Sequence, residues 1–234
     1  MQDQVAAAAA AVEAERVALV AGATGLVGRA VLADLLTDKR YKAVHCVGRR
    51  PLGINHPKLT NHVVDFNQLT SIPGLDHVDD VFIALGTTIK ASGSQKAFKA
   101  VDFEAVVAVA GVAKRLGATK LGVVSTMGAD ADSTVFYNRV KGETEKALSQ
   151  MGYSALVIAR PSLLTGDRGA LAQAARPAEK LGMLAMALFR PVIPVNYRAI
   201  GADKVANALL HGVHAQRHGI RVILSGEMLS IRLT

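Results

Sequence analysis

Ala18-Leu19-Val20-Ala21-Gly22-Ala23-Thr24-Gly25-Leu26-Val27-Gly28-Arg29-Ala30 is the stretch whose reading decides the fold. A short apolar run ends in three glycines spaced Gly-x-x-Gly-x-x-Gly, and apolar residues then recur at Leu26, Val27, Ala30, Val31 and Leu35. That pattern is strand, tight turn, amphipathic helix. Each glycine has its own task in such a corner. Gly22 takes the sharp turn at the strand end, Gly25 lets the backbone come close to a pyrophosphate, and Gly28 lets the helix lie tight on the strand. Free N–H groups and the positive end of the helix dipole then meet phosphate oxygens. An ordinary turn with incidental glycines would lack the apolar run on one side and the helical period on the other; this chain has both.

Strands and helices alternate outward from that corner. The first strand is expected over 16–21, nearly all apolar as a buried parallel strand should be, and the first helix over 26–36. Further strands are expected over 42–48 (stopped by Pro51), 61–65, 80–85, 120–126, 153–159 (closed by Arg160-Pro161) and 221–225. A long helix is expected over 95–116, with Phe98, Val101, Ala105, Val109 and Val112 at helical spacing. Another is expected over 133–151, with Ser133 as its N-cap, and a last one over 202–214. Between 162 and 195 the pattern is less regular, with helical signal at 169–175 and 179–189. No repeat, linker or composition break marks a second domain. The expectation is one α/β domain over 16–234, a Rossmann-like doubly wound parallel sheet with helices on both faces. It carries a small substrate-side region at about 162–200, and residues 1–15 precede it as a tail or short helix.

Composition narrows the function classes. Half of the 234 residues are hydrophobic, enough for a sizeable core, and aromatics are only 4%, so that core is built from Ala, Val, Leu and Ile. The net charge of +8 invites a nucleic-acid reading, but the basic residues are scattered and no aromatic platforms are interleaved with them. An anionic small ligand explains the charge as well. Cys46 is the single cysteine, set in an apolar strand, so it is a small core residue and no internal disulfide can form. The run Ala6 to Ala11 lacks the basic start and leucine-type core of a signal peptide. No run of 18 or more uncharged apolar residues occurs, so no membrane span is expected. A cytoplasmic location follows as the expectation, and a homodimer is compatible with it. His211, His214 and His218 have metal-like spacing, but no carboxylate or cysteine completes a set, and a cationic helix end reads better. No metal is expected. Met183, Leu184, Met186, Leu188 and Phe189 can cap an apolar pocket or pack as core or subunit contact.

The chemistry lies at strand ends. A dinucleotide fold that prefers NAD places an acidic residue at the end of the second strand, where the adenosine ribose falls. This chain has Arg49 and Arg50 there. Guanidinium groups hold a phosphate through paired N–H bonds, which points to a 2′-phosphate and therefore NADP; a solvated basic turn is the other reading. Asp65, at the third strand end, stands where an adenine amino group can be bound, though a strand-ending aspartate is equally ordinary. Farther on, Tyr137 and Lys141 lie four apart in a helical stretch and so share one face. A phenol titrates too high to serve as acid or base at neutral pH, and a neighbouring ammonium favours the phenolate. Lys141 can also bond ribose hydroxyls. Ser125, at the end of the fifth strand, can steady a carbonyl oxygen during hydride transfer, and Thr126 can share or replace it. No Gly-x-Ser-x-Gly elbow supports a serine hydrolase.

On these residues the chain resembles the extended or atypical short-chain dehydrogenases/reductases. The likeness rests on Gly22-Ala23-Thr24-Gly25-Leu26-Val27-Gly28, Tyr137-x-x-x-Lys141, Ser125 and Arg160-Pro161. Ala84-Leu85-Gly86-Thr87-Thr88 and Phe136-Tyr137-x-x-Val140-Lys141-Gly142-Glu143 are similar to a narrower group, the small Tat-interacting-protein-like oxidoreductases. The resemblance implies that Tyr137 is the general acid/base, Lys141 its partner and ribose ligand, and Ser125 the group that orients substrate. It implies a cofactor-binding set of Gly22, Thr24, Gly25, Leu26, Val27, Arg49, Arg50, Asp65, Phe66, Leu85, Gly86, Thr87, Lys141, Pro161 and Ser162, the last two flanking the nicotinamide amide. Ser125-Thr126 stands where the narrower group often shows two serines. The chain after Ser162 is short beside sugar-nucleotide epimerases of the same superfamily. The function implied is NADP-dependent hydride transfer to or from a small carbonyl or alcohol; the alternative is an NADPH-binding regulatory or scaffold protein without turnover.

Overall fold

The computed structural model describes residues 16–165 and 194–231. The run 6–11, the helical signals at 169–175 and 179–189, and the apolar group from Met183 to Phe189 lie outside them. The elements in chain order are β1 (Arg16–Ala21), α1 (Leu26–Thr37), β2 (Tyr41–Gly48), β3 (Leu59–Val63), β4 (Asp80–Ile83), α2 (Ile89–Ser92) and α3 (Gln95–Lys99). They continue with a π-helical turn (Ala100–Ala105), α4 (Val106–Arg115), β5 (Lys120–Val124), α5 (Phe136–Ser149), β6 (Ala155–Arg160) and β7 (Leu164–Thr165). Last come β8 (Ile200–Gly201), α6 (Ala202–Ala215), β9 (Gly219–Leu224) and α7 (Ser225–Ser230).

Seven strands form one parallel sheet in the order β3-β2-β1-β4-β5-β6-β9. β1 is central, pairing with β2 through Ala21↔Val47 and with β4 through Ala21↔Ile83. The strand order reverses there, and the carboxyl ends of β1 and β4 part to leave the crevice where doubly wound sheets bind ligands. Alternate residues of β1 serve opposite faces. Ala18 and Val20 join Val31, Leu35, Val205 and Leu209 under α1 and α6. Leu19 and Ala21 join Val81, Ile83, Val109, Val112 and Leu148 under α4 and α5. Burial on both faces is why the strand has no polar position between Val17 and Ala21.

The β1–α1 corner requires its glycines. Gly22 has φ +92°, and a Cβ there would fall 2.5 Å from the Ala84 carbonyl group. A Cβ on Gly28 would fall 2.0 Å from Gly22 O. α1 begins after Gly25, with no side-chain cap and no acidic residue in its first turn. Its leading N–H groups are therefore left without a side-chain acceptor.

Three expectations are corrected. The helical run 95–115 is not uniform: the π-turn at Ala100–Ala105 interrupts it and brings Asp102 fully inside. Ser133 does not cap α5; Val135 takes the N-cap position without a side-chain bond, and Ser133 Oγ accepts from Val135 N instead. The third strand is Leu59–Val63, because Asp65 turns the chain by accepting from Asn67 N, 3.0 Å away. Of the segment 162–200, the described ends contain β7, which pairs with β8 through Leu164↔Ile200.

Candidate functional site

A cavity of about 560 Å³ opens at the crevice. Gly22, Thr24 and Gly25 line it from the β1–α1 corner, and Arg49 and Arg50 from the exit of β2. Asp65 and Phe66 line it from the exit of β3, and Leu85, Gly86 and Thr87 from the exit of β4. These ten expected cofactor residues come from four different strand ends and are brought together by topology alone. Leu26 and Val27 do not line it: both side chains pack into the core beneath α1, so only their backbone N–H groups are left to face a phosphate. Arg49 and Arg50 are exposed, and among the described residues neither has an ion-pair partner. Asp65 Oδ1 is engaged by Asn67 N and Nδ2, so the aspartate is a turn former as well as a wall residue.

Lys141 and Tyr137 come from α5; neither they nor Ser125 line the cavity, and Lys141 reaches its wall only behind Gly86. Lys141 is buried, and its Nζ lies 2.7 Å from Asp102 Oδ1; the two side chains are 7% and 0% exposed. Asp102 Oδ2 accepts from Thr87 N at 2.9 Å. Thr144 Oγ1 donates to the Asp102 carbonyl at 2.9 Å and sits within 2.8 Å of Val140 O, tying the π-turn to α5. Burial pushes the Asp102 carboxyl above the ordinary carboxylate range, while the Lys141 ammonium and the Thr87 N–H pull it back. A Cβ on Gly86 would stand 3.5 Å from Asp102 Oδ1 and 3.7 Å from Lys141 Nζ, so the cavity wall runs directly past this ion pair. Tyr137 is half-buried, its ring centroid 5.3 Å from that of Phe98.

Ser125 follows β5, its N–H bonded to Ala159 O at 2.8 Å. Its hydroxyl is buried and has no partner among the described residues. A buried hydroxyl without a partner is costly in a finished core and ordinary where a ligand completes it. The loop after Ser125 rests on α5: Asp130 N bonds Asn138 O at 3.1 Å, and a Cβ on Gly142 would fall 2.1 Å from Ala131 N. Ser125, Tyr137 and Lys141 are thus parts of one packed unit. Pro161 O accepts from Met127 N at 3.0 Å, and the Ser162 hydroxyl is bonded to Arg198 O and lies 3.0 Å from Ser225 Oγ. That hydroxyl secures the exit of β6, and neither Pro161 nor Ser162, both expected to bind the cofactor, lines the cavity. Arg160 grips Glu145 with two bonds of 3.0 and 2.5 Å, which hold its guanidinium charged and brace α5 against β6.

Sequence reasoning missed Asp102. The available signal was a carboxylate four residues after Phe98 and three before Ala105, on the otherwise apolar stripe of that helical stretch. Of the expected metal-like histidines, His214 Nε2 is bonded to Tyr41 Oη at 2.9 Å, and no group of three metal-binding side chains occurs among the described residues. Among the same residues no helix is long and apolar enough to cross a membrane.

The glycine corner and the cavity at the strand ends fit a dinucleotide. Comparison with known proteins agrees. A family model described as NAD(P)H-binding matches residues 22–184. The rat protein HTATIP2 is 33% identical over 166 residues, covering 69% of this chain and 66% of that protein. FMP52-1, mitochondrial, of Scheffersomyces stipitis is 32% identical over 156 residues, covering 64% and 68%. The chain therefore spans about two thirds of the length of these curated relatives. Among solved structures, a short chain dehydrogenase family protein from Francisella tularensis superposes with a TM-score of 0.67 at 15% identity, covering 93% of this chain and all of that one, a likeness of fold. The chain belongs to the NAD(P)H-binding Rossmann family, as an atypical short-chain dehydrogenase/reductase resembling HTATIP2.

Proposed function

We propose that this chain is an NADP-dependent oxidoreductase that moves hydride to or from a small carbonyl or alcohol. The observation that carries the reading is the buried, unpartnered Ser125 hydroxyl, on a loop packed against the helix that carries Tyr137 and Lys141. Gly22, Gly25 and the first-turn N–H groups of α1 would hold the diphosphate, and Arg49 and Arg50 the 2′-phosphate. Gly86 and Thr87 would lie along the nicotinamide side, with Lys141 reaching the ribose.

When bound, the nicotinamide supplies or accepts the hydride. In the reducing direction the Tyr137 O–H gives its proton to the carbonyl oxygen while the carbon gains hydride; in the oxidising direction the same oxygen takes the alcohol proton. The Ser125 hydroxyl donates to the substrate oxygen and stabilises the charge that develops on it. Asp102 fixes the Lys141 ammonium so that it stays in place as the proton moves.

The test is turnover over a panel of carbonyl compounds with NADPH. Tyr137→Phe should abolish turnover while NADPH binding persists; unchanged turnover would remove Tyr137 from the reaction. One observation favours a second reading: the Lys141 ammonium is already neutralised by Asp102, as suits a cofactor-binding regulatory protein without turnover. A tight NADPH complex that turns over no compound in the panel would select that reading.

A further inference from the structure

His45 on β2 and His62 on β3 bond to each other across the sheet. His45 Nδ1 lies 2.9 Å from His62 Nε2, with the ring centroids 5.2 Å and the planes 19° apart. The register sets His45 opposite Thr60 and Val47 opposite His62, so both imidazoles leave the same face of the sheet. A contact this short needs one proton between the two nitrogens. Two imidazolium ions would set N–H against N–H, so the pair accepts only one positive charge while the contact lasts. Burial lowers the proton affinity of both rings, and His62 lowers that of His45 further. Among the described residues neither ring has a carboxylate partner. The pair is a neutral dyad with room for one more proton.

His62 also lines the cavity, on the side of the Arg pair. The charged groups facing it there are Arg49 and Arg50 from the β2 exit and Asp65 from the β3 exit, whose Oδ1 is spent on Asn67. The Cys46 thiol shares the wall but is pushed up to about 12 by burial and stays neutral. At the far end of β3, Lys58 Nζ donates to Asp38 O, and His56 Nδ1 accepts from Lys58 N. Negative charge entering this mouth would meet two guanidinium groups and an imidazole pair able to protonate.

We propose that His62, held by His45, is a third recognition group for the phosphomonoester at the 2′ position of the cofactor, and that the pair takes up a proton from solvent when that phosphate binds. A phosphate dianion within a few ångströms favours the imidazolium, and the charged ring then donates a charge-assisted bond to it. This rests on the NADP reading above. NADH lacks the phosphate and draws no proton.

Calorimetric titration of the full chain near pH 7, in buffers of different ionisation enthalpy, reads the proton directly. NADPH should bind with uptake of several tenths of a proton and NADH with almost none. Titration of the phosphate itself runs the other way, because its second pKa lies near 6 and binding as the dianion releases protons, so net uptake belongs to the protein. His62→Gln and His45→Gln should each remove the uptake, and His62→Gln should lower the NADPH:NADH affinity ratio at pH 6.5 by about tenfold, the equivalent of one pKa unit. No uptake in the unsubstituted chain, or the same uptake in His62→Gln, overturns the proposal. If that happens while an Arg49- and Arg50-dependent preference for NADPH remains, the NADP reading stands and only the histidine proposal falls. If NADPH shows no preference over NADH at any pH, the NADP reading fails and takes this proposal with it.

Discussion

Replacing Asp102 by Asn tests the centre of the site most directly. The carboxylate is 0% exposed and has two separate obligations, the Lys141 ammonium at 2.7 Å and the Thr87 N–H at 2.9 Å. Asparagine keeps the shape and can still accept one hydrogen bond, but it removes the charge and offers an amide N–H to one of two donors. Lys141, 7% exposed, then holds a buried ammonium with no counter-charge. Breaking a buried ion pair from one side costs about 3–5 kcal/mol, and the remaining hydrogen bond puts this case at the low end, about 3 kcal/mol. For a chain of 150–250 residues that corresponds to a fall in Tm of roughly 6–12 °C.

Lys141→Met removes the other charge at similar volume. The double variant Asp102→Asn, Lys141→Met leaves no buried charge, so it should be more stable than the sum of the single losses predicts, by roughly 1–3 kcal/mol of coupling. Thermal and urea unfolding of the four proteins close the cycle. A Tm within 2 °C of the parent for Asp102→Asn, or strict additivity in the double variant, would refute the claim that this pair is a buried, mutually dependent unit. Cofactor titration adds a second reading. The Thr87 N–H belongs to the cavity wall, so Asp102→Asn should weaken NADPH binding, and Lys141→Met should do so through the ribose.

The remaining predictions are shorter. Gly28→Ala would place a methyl 2.0 Å from Gly22 O, so the corner must open; dinucleotide affinity measured by fluorescence titration should be lost along with about 1–3 kcal/mol of stability. Gly142→Ala would place one 2.1 Å from Ala131 N, lifting the Ser125 loop off α5, so turnover should fall while NADPH affinity, set mainly at the other end of the cavity, changes little. Arg49→Ala with Arg50→Ala should weaken NADPH by roughly 10–100-fold, since a hydrogen bond to a charged group is worth about 1.5–3 kcal/mol, and leave NADH nearly unchanged; equal weakening of both would sink the 2′-phosphate assignment. Burial holds His214 down to about 4, against an ordinary value of 6.5. A depressed histidine contributes stability that is present above 6.5 and lost as the pH falls toward 4, about 3 kcal/mol in all; acid unfolding curves should show this loss in the parent and a flatter profile in His214→Gln.

Much of the fold was legible because its determinants are local. Gly22, Gly25 and Gly28 each answer a steric demand made within a few residues, and β1 is apolar at every position after Arg16 because both of its faces are covered. The alternation of such runs with amphipathic stretches gives parallel strands. Three features escaped for physical reasons. The π-turn at Ala100–Ala105 shifts the phase of a helix whose period had been read as constant. β7 and β8 are two residues each, too short for any alternation to register. The start of α5 is fixed by the loop it packs against, since Asp130 N and Ala131 N lie on its backbone, and Ser133 had only local preference in its favour.

The site divides along the same line. Residues that stand at strand ends, such as Arg49, Arg50, Gly86 and Thr87, reach one cavity because a parallel sheet puts all its carboxyl ends on one side, so finding the strands was enough to find them. That Tyr137 and Lys141 share one helix was legible from their spacing. What spacing could not supply is the partner that holds the ammonium, because Asp102 is distant in sequence and reaches Lys141 only through the packing of the π-turn on α5. That partner changes the mechanical picture. One buried carboxylate bonds both the backbone of the cavity wall and the lysine we propose for the acid/base couple, so displacement of Thr87 must be felt at Lys141. A ligand that orders the wall therefore orders the ammonium too, and this shared anchor accounts for a fully buried Asp where an all-apolar helix face would have packed at lower cost.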